Sequence, residues 1–236
     1  VSHRYGRARV LESFDWVVPS GRTALLGPNG AGKSTLLAIG ASGLRPRGGH
    51  VAIDSVTWPS RRGVRSYRAH VGWMPQQNEF APHLTVRENV ELAAWLKAVP
   101  VQQRRSAVGE ALEQANLSGR SDDVARRLSG GQQRRLCFAQ AIVHRPTVLL
   151  LDEPTVGLDP AQREGLRAVL AGVEGADIVI STHQVDDIDE AFDTVVVLHQ
   201  GRIRFQGSTE QFLGLVEPGD RRGERAYLAL APDVNA

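Results

Sequence analysis

Short apolar runs alternate along this chain with longer segments in which apolar residues recur at helical spacing. Thr23 to Leu26, Val71 to Met74, Thr147 to Leu151, Asp177 to Ser181 and Thr194 to Leu198 read as strands. Thr147-Val148-Leu149-Leu150-Leu151 is apolar without alternation, as in a strand covered on both faces. Helices are predicted from Lys33 to about Ala41, from a cap at Thr85 to about Ala98, over Gln132 to His144, Ala161 to Val173 and Gln184 to Ala191, and from Ser208 to about Leu215. A further helix carries Val108, Ala111, Leu112 and Ala115 at i, i+3, i+4 and i+7, a packing stripe. Leu136, Ala139 and Val143 give the Gln132 helix a buried face, as Leu166, Val169, Leu170 and Val173 do for the Ala161 helix.

Weaker signals fill the gaps. Ala8 to Leu11 and Phe14 to Val18, closed by Pro19-Ser20-Gly21, read as a small antiparallel edge, and His50 to Ile53 as a strand. Arg61 to Arg68 reads as a surface helix, and Gln200-Gly201 as the turn of a hairpin between Val195 to Leu198 and Arg202 to Gln206. From Glu217 the chain is polar and reads as a tail, mobile at its start. Strand and helix in alternation predict an α/β fold with a mainly parallel sheet and right-handed crossovers.

With 42% hydrophobic and 23% charged residues this is the composition of an ordinary globular protein, and no apolar run approaches the ~20 residues that span a bilayer. A membrane role would therefore be borrowed from a partner. A formal charge of +2 gives no strong field, so nucleic acid is not an expected partner, and paired arginines such as Arg126-Arg127 read as solvated faces. Cys137, the single cysteine, has no internal disulfide partner, and no charged-then-apolar leader opens the sequence, which together predict a cytosolic location. Position 1 is Val, so the chain either starts late, lacking part of a first strand, or uses a non-standard start.

The chemistry begins at Gly27-Pro28-Asn29-Gly30-Ala31-Gly32-Lys33-Ser34-Thr35, which stands between a strand and a helix and matches the loop that wraps nucleoside triphosphates. Glycines let the backbone approach an anion, and N–H groups at the helix N-terminus face the phosphates. Lys33 is expected on the β- and γ-phosphates, the Ser34 hydroxyl on Mg²⁺ and Thr35 on the α-phosphate side. Asp152 and Glu153 follow the apolar strand, so two carboxylates are expected at the sheet edge where such folds bind ligands. Asp152 would hold Mg²⁺, mainly through its water, and Glu153 would polarise the water that attacks the γ-phosphate.

Leu128-Ser129-Gly130-Gly131-Gln132-Gln133-Arg134-Arg135 resembles the signature of the ATP-binding cassette (ABC) ATPases. Ser129 is a natural N-cap, and Gly130-Gly131 offer N–H groups at a helix start, a second anion site. The resemblance implies a P-loop NTPase core with an N-terminal antiparallel β edge and an inserted helical subdomain. A single cassette over 1–215 is expected, with core 1–76 and 127–215, helical subdomain 77–126 and tail 216–236. It further implies a head-to-tail dimer in which the signature of one cassette, homologous or identical, closes over ATP held by the other.

Further positions follow from the same resemblance. Tyr5 is expected against adenine, Gln76 (or Gln77) beside Mg²⁺ and the attacking water, Asp159 in the loop that crosses the dimer, and His183 on the γ-phosphate. Gln76 to Arg87, with Phe80, Pro82 and Leu84, is the expected docking surface for a separate membrane-spanning permease. The expected protein is thus the ATP-hydrolysing subunit of a transporter at the cytoplasmic face of the membrane, most like the export-type cassettes in its turn Gln77 to Val90 and compact insert, with import the alternative. The rivals are an ABC ATPase acting on nucleic acid or ribosomes, which usually carries tandem cassettes or a coiled-coil insertion, and a regulatory module without hydrolysis, against which Glu153 and His183 argue.

Overall fold

Two short strands, β1 (His3–Tyr5) and β2 (Ala8–Leu11), open the chain as an antiparallel hairpin. The expected second strand at Phe14 to Val18 is absent. Phe14 is buried and Val17 exposed, so the alternation is there, but no described strand lies alongside to complete a ladder. Ser13 turns the chain with φ 46°, and the Phe14 N–H donates to Val1 O at 2.8 Å.

The computed structural model describes residues 1–60, 63–183, 185 and 192–230. β3 (Arg22–Leu26) leads through a Gly-rich loop into α1 (Lys33–Gly40). A hairpin of β4 (Val51–Ile53) and β5 (Val56–Trp58) follows, the latter not anticipated, then α2 (Val64–His70), set later than expected, and β6 (Val71–Met74). Next come α3 (Val86–Leu96), α4 (Val101–Gln114), α5 (Gly130–Ile142), β7 (Val148–Asp152), α6 (Pro160–Ala171) and β8 (Asp177–Thr182). The helix expected over 184–191 lies outside the described residues apart from Val185. β9 (Thr194–His199), β10 (Arg202–Ser208), α7 (Thr209–Leu213) and α8 (Arg222–Leu230) complete the fold.

Among the described residues the main sheet has the order β10-β9-β3-β8-β7-β6, parallel except for the β10-β9 hairpin. Successive residues of β7 serve opposite faces, as strand geometry requires. Leu149 and Leu151 pack with α3, α4 and α5 through Val86, Leu112, Leu136 and Phe138. Leu150 packs with Leu37, Ile39 and Tyr67 on the other side. Capping boxes start α3 at Thr85 with Glu88, α5 at Ser129 with Gln132 and α7 at Ser208 with Gln211, each worth about 1 kcal/mol.

The segment expected as a polar tail folds back. Ala226 and Tyr227 of α8 are buried against Val195, Val197 and Phe212, and Arg225 Nη2 donates to Glu217 O at 2.7 Å, closing the turn expected to be mobile. Only the second half of this helix is apolar, too short a stretch for periodicity to find it.

Two expectations follow from the packing. A Cβ on Gly72 would sit 2.4 Å from Ala141 O and 2.8 Å from Leu149 Cδ1, so Gly72→Ala should lower stability by about 1–3 kcal/mol, read as a lower urea midpoint at unchanged slope. Burial, helped by the charge of Lys97, pulls His144 from the ordinary 6.5 to about 4, while its Nε2 bonds to Val71 O at 3.0 Å. Neutral His144 suits the fold, so its contribution is complete above pH 6.5 and is lost as pH falls toward about 4. Melting temperature against pH should flatten over that window in His144→Gln; an unchanged slope would refute the assignment.

Candidate active site

Parallel register brings four strand ends to one edge. Leu26 of β3 pairs with Thr182 of β8, Ser181 with Asp152 of β7, and Leu151 with Met74 of β6. The Gly-rich loop, His183, the Asp152-Glu153 pair and Pro75-Gln76 therefore leave the sheet together, at the carboxyl edge where open α/β sheets bind ligands.

The loop from Gly27 to Gly32 is shaped by what a side chain would hit. A Cβ on Gly27 would fall 2.3 Å from Leu198 O, and Gly32 caps α1 with φ 106°, a conformation that costs other residues dearly. α1 has no side-chain cap, so its first N–H groups are left to face an anion, flanked by Pro28, Asn29, Gly30 and Ala31, with Thr35 buried in the first turn. Lys33 is buried, and its Nζ donates to Gly27 O at 2.5 Å and Pro28 O at 3.3 Å, with Glu153 Oε1 at 3.9 Å. Burial lowers its pKa from the ordinary lysine range, while Glu153 and Asp152 pull the other way.

Asp152 Oδ1 accepts from Ser34 Oγ at 3.1 Å and from Ser181 Oγ at 2.6 Å. A carboxylate beside a hydroxyl is a hard oxygen pair that suits Mg²⁺, which ordinarily keeps its other positions for phosphate and water. Among the described residues no trio of His, Cys, Asp or Glu forms a metal cage, so a cation here would rely on that pair and its ligands.

Glu153 takes φ 48°, left-handed backbone that costs a non-glycine residue on the order of 1–3 kcal/mol. Its N–H donates to Ser181 Oγ at 2.9 Å and its carbonyl accepts from Arg134 Nη2 at 2.6 Å. The carboxylate is buried, with Oε2 bonded to His183 Nδ1 at 2.8 Å. An ionised Glu153 requires the proton on that nitrogen. Sequence reasoning assigned His183 to phosphate; the structure places it on Glu153.

Lys33, Ser34, Asp152, Glu153 and His183 thus form one cluster, with Gln76 exposed past the end of β6. Tyr5 is 54% exposed on the hairpin, edge-on to His3 at 4.9 Å between ring centroids. Ser129 caps α5 and Gly130 faces open space, whereas Gly131 lies against Gln162, where a Cβ would meet Cγ at 3.0 Å. The carboxylate of Asp159 is engaged within its own chain, accepting from Gln162 N at 2.8 Å to cap α6. The Ser129 turn heads α5, which packs on β6, and β6 lies three strand spacings, about 14 Å, from β3 that bears the phosphate loop, while Arg134 of α5 reaches Glu153 O.

Sequence reasoning missed Ser181 and Arg134. The signals were a hydroxyl closing an apolar strand and a charge on the buried face of α5, where Arg134 is 3% exposed beside Cys137 and Phe138.

A family model described as ABC transporter matches residues 11–156. Nod factor export ATP-binding protein I of Burkholderia orbicola is 38% identical over 213 residues, covering 88% of this chain and 69% of that protein. Cobalt import ATP-binding protein CbiO of Rhodobacter capsulatus is 38% identical over 215 residues, covering 88% and 76%. Among solved structures, the dimeric bacterial ABC transporter cassette MJ0796 superposes with a TM-score of 0.76 at 28% identity, covering 88% of this chain and 95% of that one.

Ser181→Ala should strip a donor from Asp152 and an acceptor from Glu153 N–H, costing about 1–3 kcal/mol in chemical denaturation. A loss below the error of the measurement would mean that the network does not hold the edge.

Proposed function

This chain belongs to the ABC transporter family and is the ATPase subunit of such a transporter; we propose that it drives export, pairing with a second cassette and docking on a membrane-spanning permease. Export is supported by the likeness to a Nod factor export protein, although a cobalt import protein is as similar, so direction rests on the test below. Among the described residues no helix is long and apolar enough to cross a membrane, which suits a peripheral subunit at the cytoplasmic face whose permease is a separate chain. The exposed loop Gln76 to Glu79, continued by Phe80 to Arg87, is the proposed docking surface, with core 1–76 and 127–215 around a helical subdomain 77–126.

The observation that carries the reading is the placement of Glu153, 2.8 Å from His183 and 3.9 Å from Lys33. ATP lies with its phosphates on the α1 N-terminus, where Lys33 exchanges the carbonyls of Gly27 and Pro28 for phosphate oxygens. Ser34 and Asp152, with Gln76 at the neighbouring strand end, would hold Mg²⁺, which supplies charge neutralisation of the phosphates. Glu153 accepts the proton of the attacking water, and His183 fixes the direction of its carboxylate by donating from Nδ1. Tyr5 stacks on the adenine.

Pairing is supported by the placement of the two helices, α1 following β3 and α5 packing on β6, with two strands between. Ser129, Gly130 and Gly131 close over the nucleotide of a second cassette, with Asp159 at the junction. ATP then favours the closed pair through contacts missing from the open one.

Glu153→Gln should lower phosphate release from ATP by at least about 100-fold, as loss of a general base does, and leave a nucleotide-bound dimer detectable by light scattering. Normal turnover would contradict the assigned base. With the permease in inside-out vesicles, export predicts ATP-dependent uptake into the lumen, and import predicts release.

A further inference from the structure

Arg134 lies outside the phosphate loop and the carboxylate pair, yet it joins the segments on which both depend. It stands in the second turn of α5, five residues past the Ser129 cap, and is 3% exposed. Nη2 donates to Glu153 O at 2.6 Å, and Nη1 donates to Pro75 O at 3.1 Å and Asn78 Oδ1 at 3.2 Å. Its partners stand 19, 59 and 56 residues away in the chain, so this is no local helix contact. A second tie runs alongside, from Asn78 Nδ2 to Gln133 Oε1 at 3.4 Å. A guanidinium buried this deeply is retained at a desolvation cost unless its donors are matched, and here they are matched to backbone carbonyls at the two strand ends flanking the reaction.

The residue it grips is the strained one. Glu153 keeps φ 48° within a net of hydrogen bonds: Ser181 on the N–H side, and on the carbonyl side Arg134 at 2.6 Å and the Val156 N–H at 3.2 Å. Losing the shorter Arg134 bond leaves the carbonyl only the longer bond from Val156 N–H, so the peptide can relax toward ordinary backbone and turn the carboxylate away from His183. We propose that Arg134 is a positioning residue for hydrolysis: it locks the backbone of Glu153 in its left-handed conformation and ties it to α5, so that the seating of the Ser129 helix governs the aim of the base. This rests on the reading of Glu153 as the base.

The test uses the full-length chain with ATP and Mg²⁺. Arg134→Gln should lower kcat at least about tenfold with KM for ATP within twofold. In a Glu153→Gln background it should leave ATP-driven dimerisation unchanged, because the phosphate-facing groups are intact. Arg134→Lys, which keeps the charge and reaches one carbonyl, should recover part of kcat, and it serves as the test should the Gln variant fail to fold. A kcat within twofold of the parent in both variants would overturn the proposal. So would a loss of dimerisation as large as the loss of kcat, since that marks a merely structural arginine. If Glu153→Gln itself turned over normally, the reading of the base would fail instead, and that outcome is visible before Arg134 is touched.

Discussion

Everything at the reactive edge depends on holding one residue in backbone it would not choose. Glu153 stands at the first position past β7 with φ 48°; Ser181 of β8 holds its N–H, and Arg134 of α5 together with the Val156 N–H holds its carbonyl. Ser181 serves double duty, accepting the Glu153 N–H at 2.9 Å while donating to Asp152 at 2.6 Å. One hydroxyl thereby links the Asp152 carboxylate to the backbone of Glu153. Such a joint requires β7 and β8 to be in parallel register to the residue, which the pairing of Asp152 with Ser181 provides. A shift of one residue would turn both side chains to the other face.

The charges around that joint are balanced within the protein. Lys33 and Arg134 face Asp152 and Glu153, all buried, and each cation is also held by backbone carbonyls. Burying four charges is tolerable because every one has hydrogen-bonded partners. Lys33 is held back on Gly27 and Pro28, within reach of the loop it is to serve.

How much of this could be read from residues alone divides along physical lines. Gly27 to Thr35, Asp152, Glu153 and the Ser129 turn were legible because their chemistry fixes residue type at fixed spacing, and the parallel sheet because strand and helix alternate in period. Ser181 and Arg134 were not, because their roles exist only through contacts between segments far apart in sequence. Phe14 to Val18 carries a strand's alternation without a neighbouring strand, which no local pattern can reveal. α8 is held by Tyr227 and Ala226 against β9, a tertiary contact overriding a polar, Gly- and Arg-rich sequence.

The central claim is that each chain supplies the lid for its partner's nucleotide, and mixing two inactive variants tests it most directly. Lys33→Ala removes the phosphate lysine, and Gly130→Asp, at a glycine that faces open space, places a negative charge where the lid should meet phosphate. Each alone should be inactive. Mixed, they form pairs in which the intact loop of one faces the intact Ser129 turn of the other, and ATP hydrolysis should reappear. A mixture as inactive as its components would contradict the account.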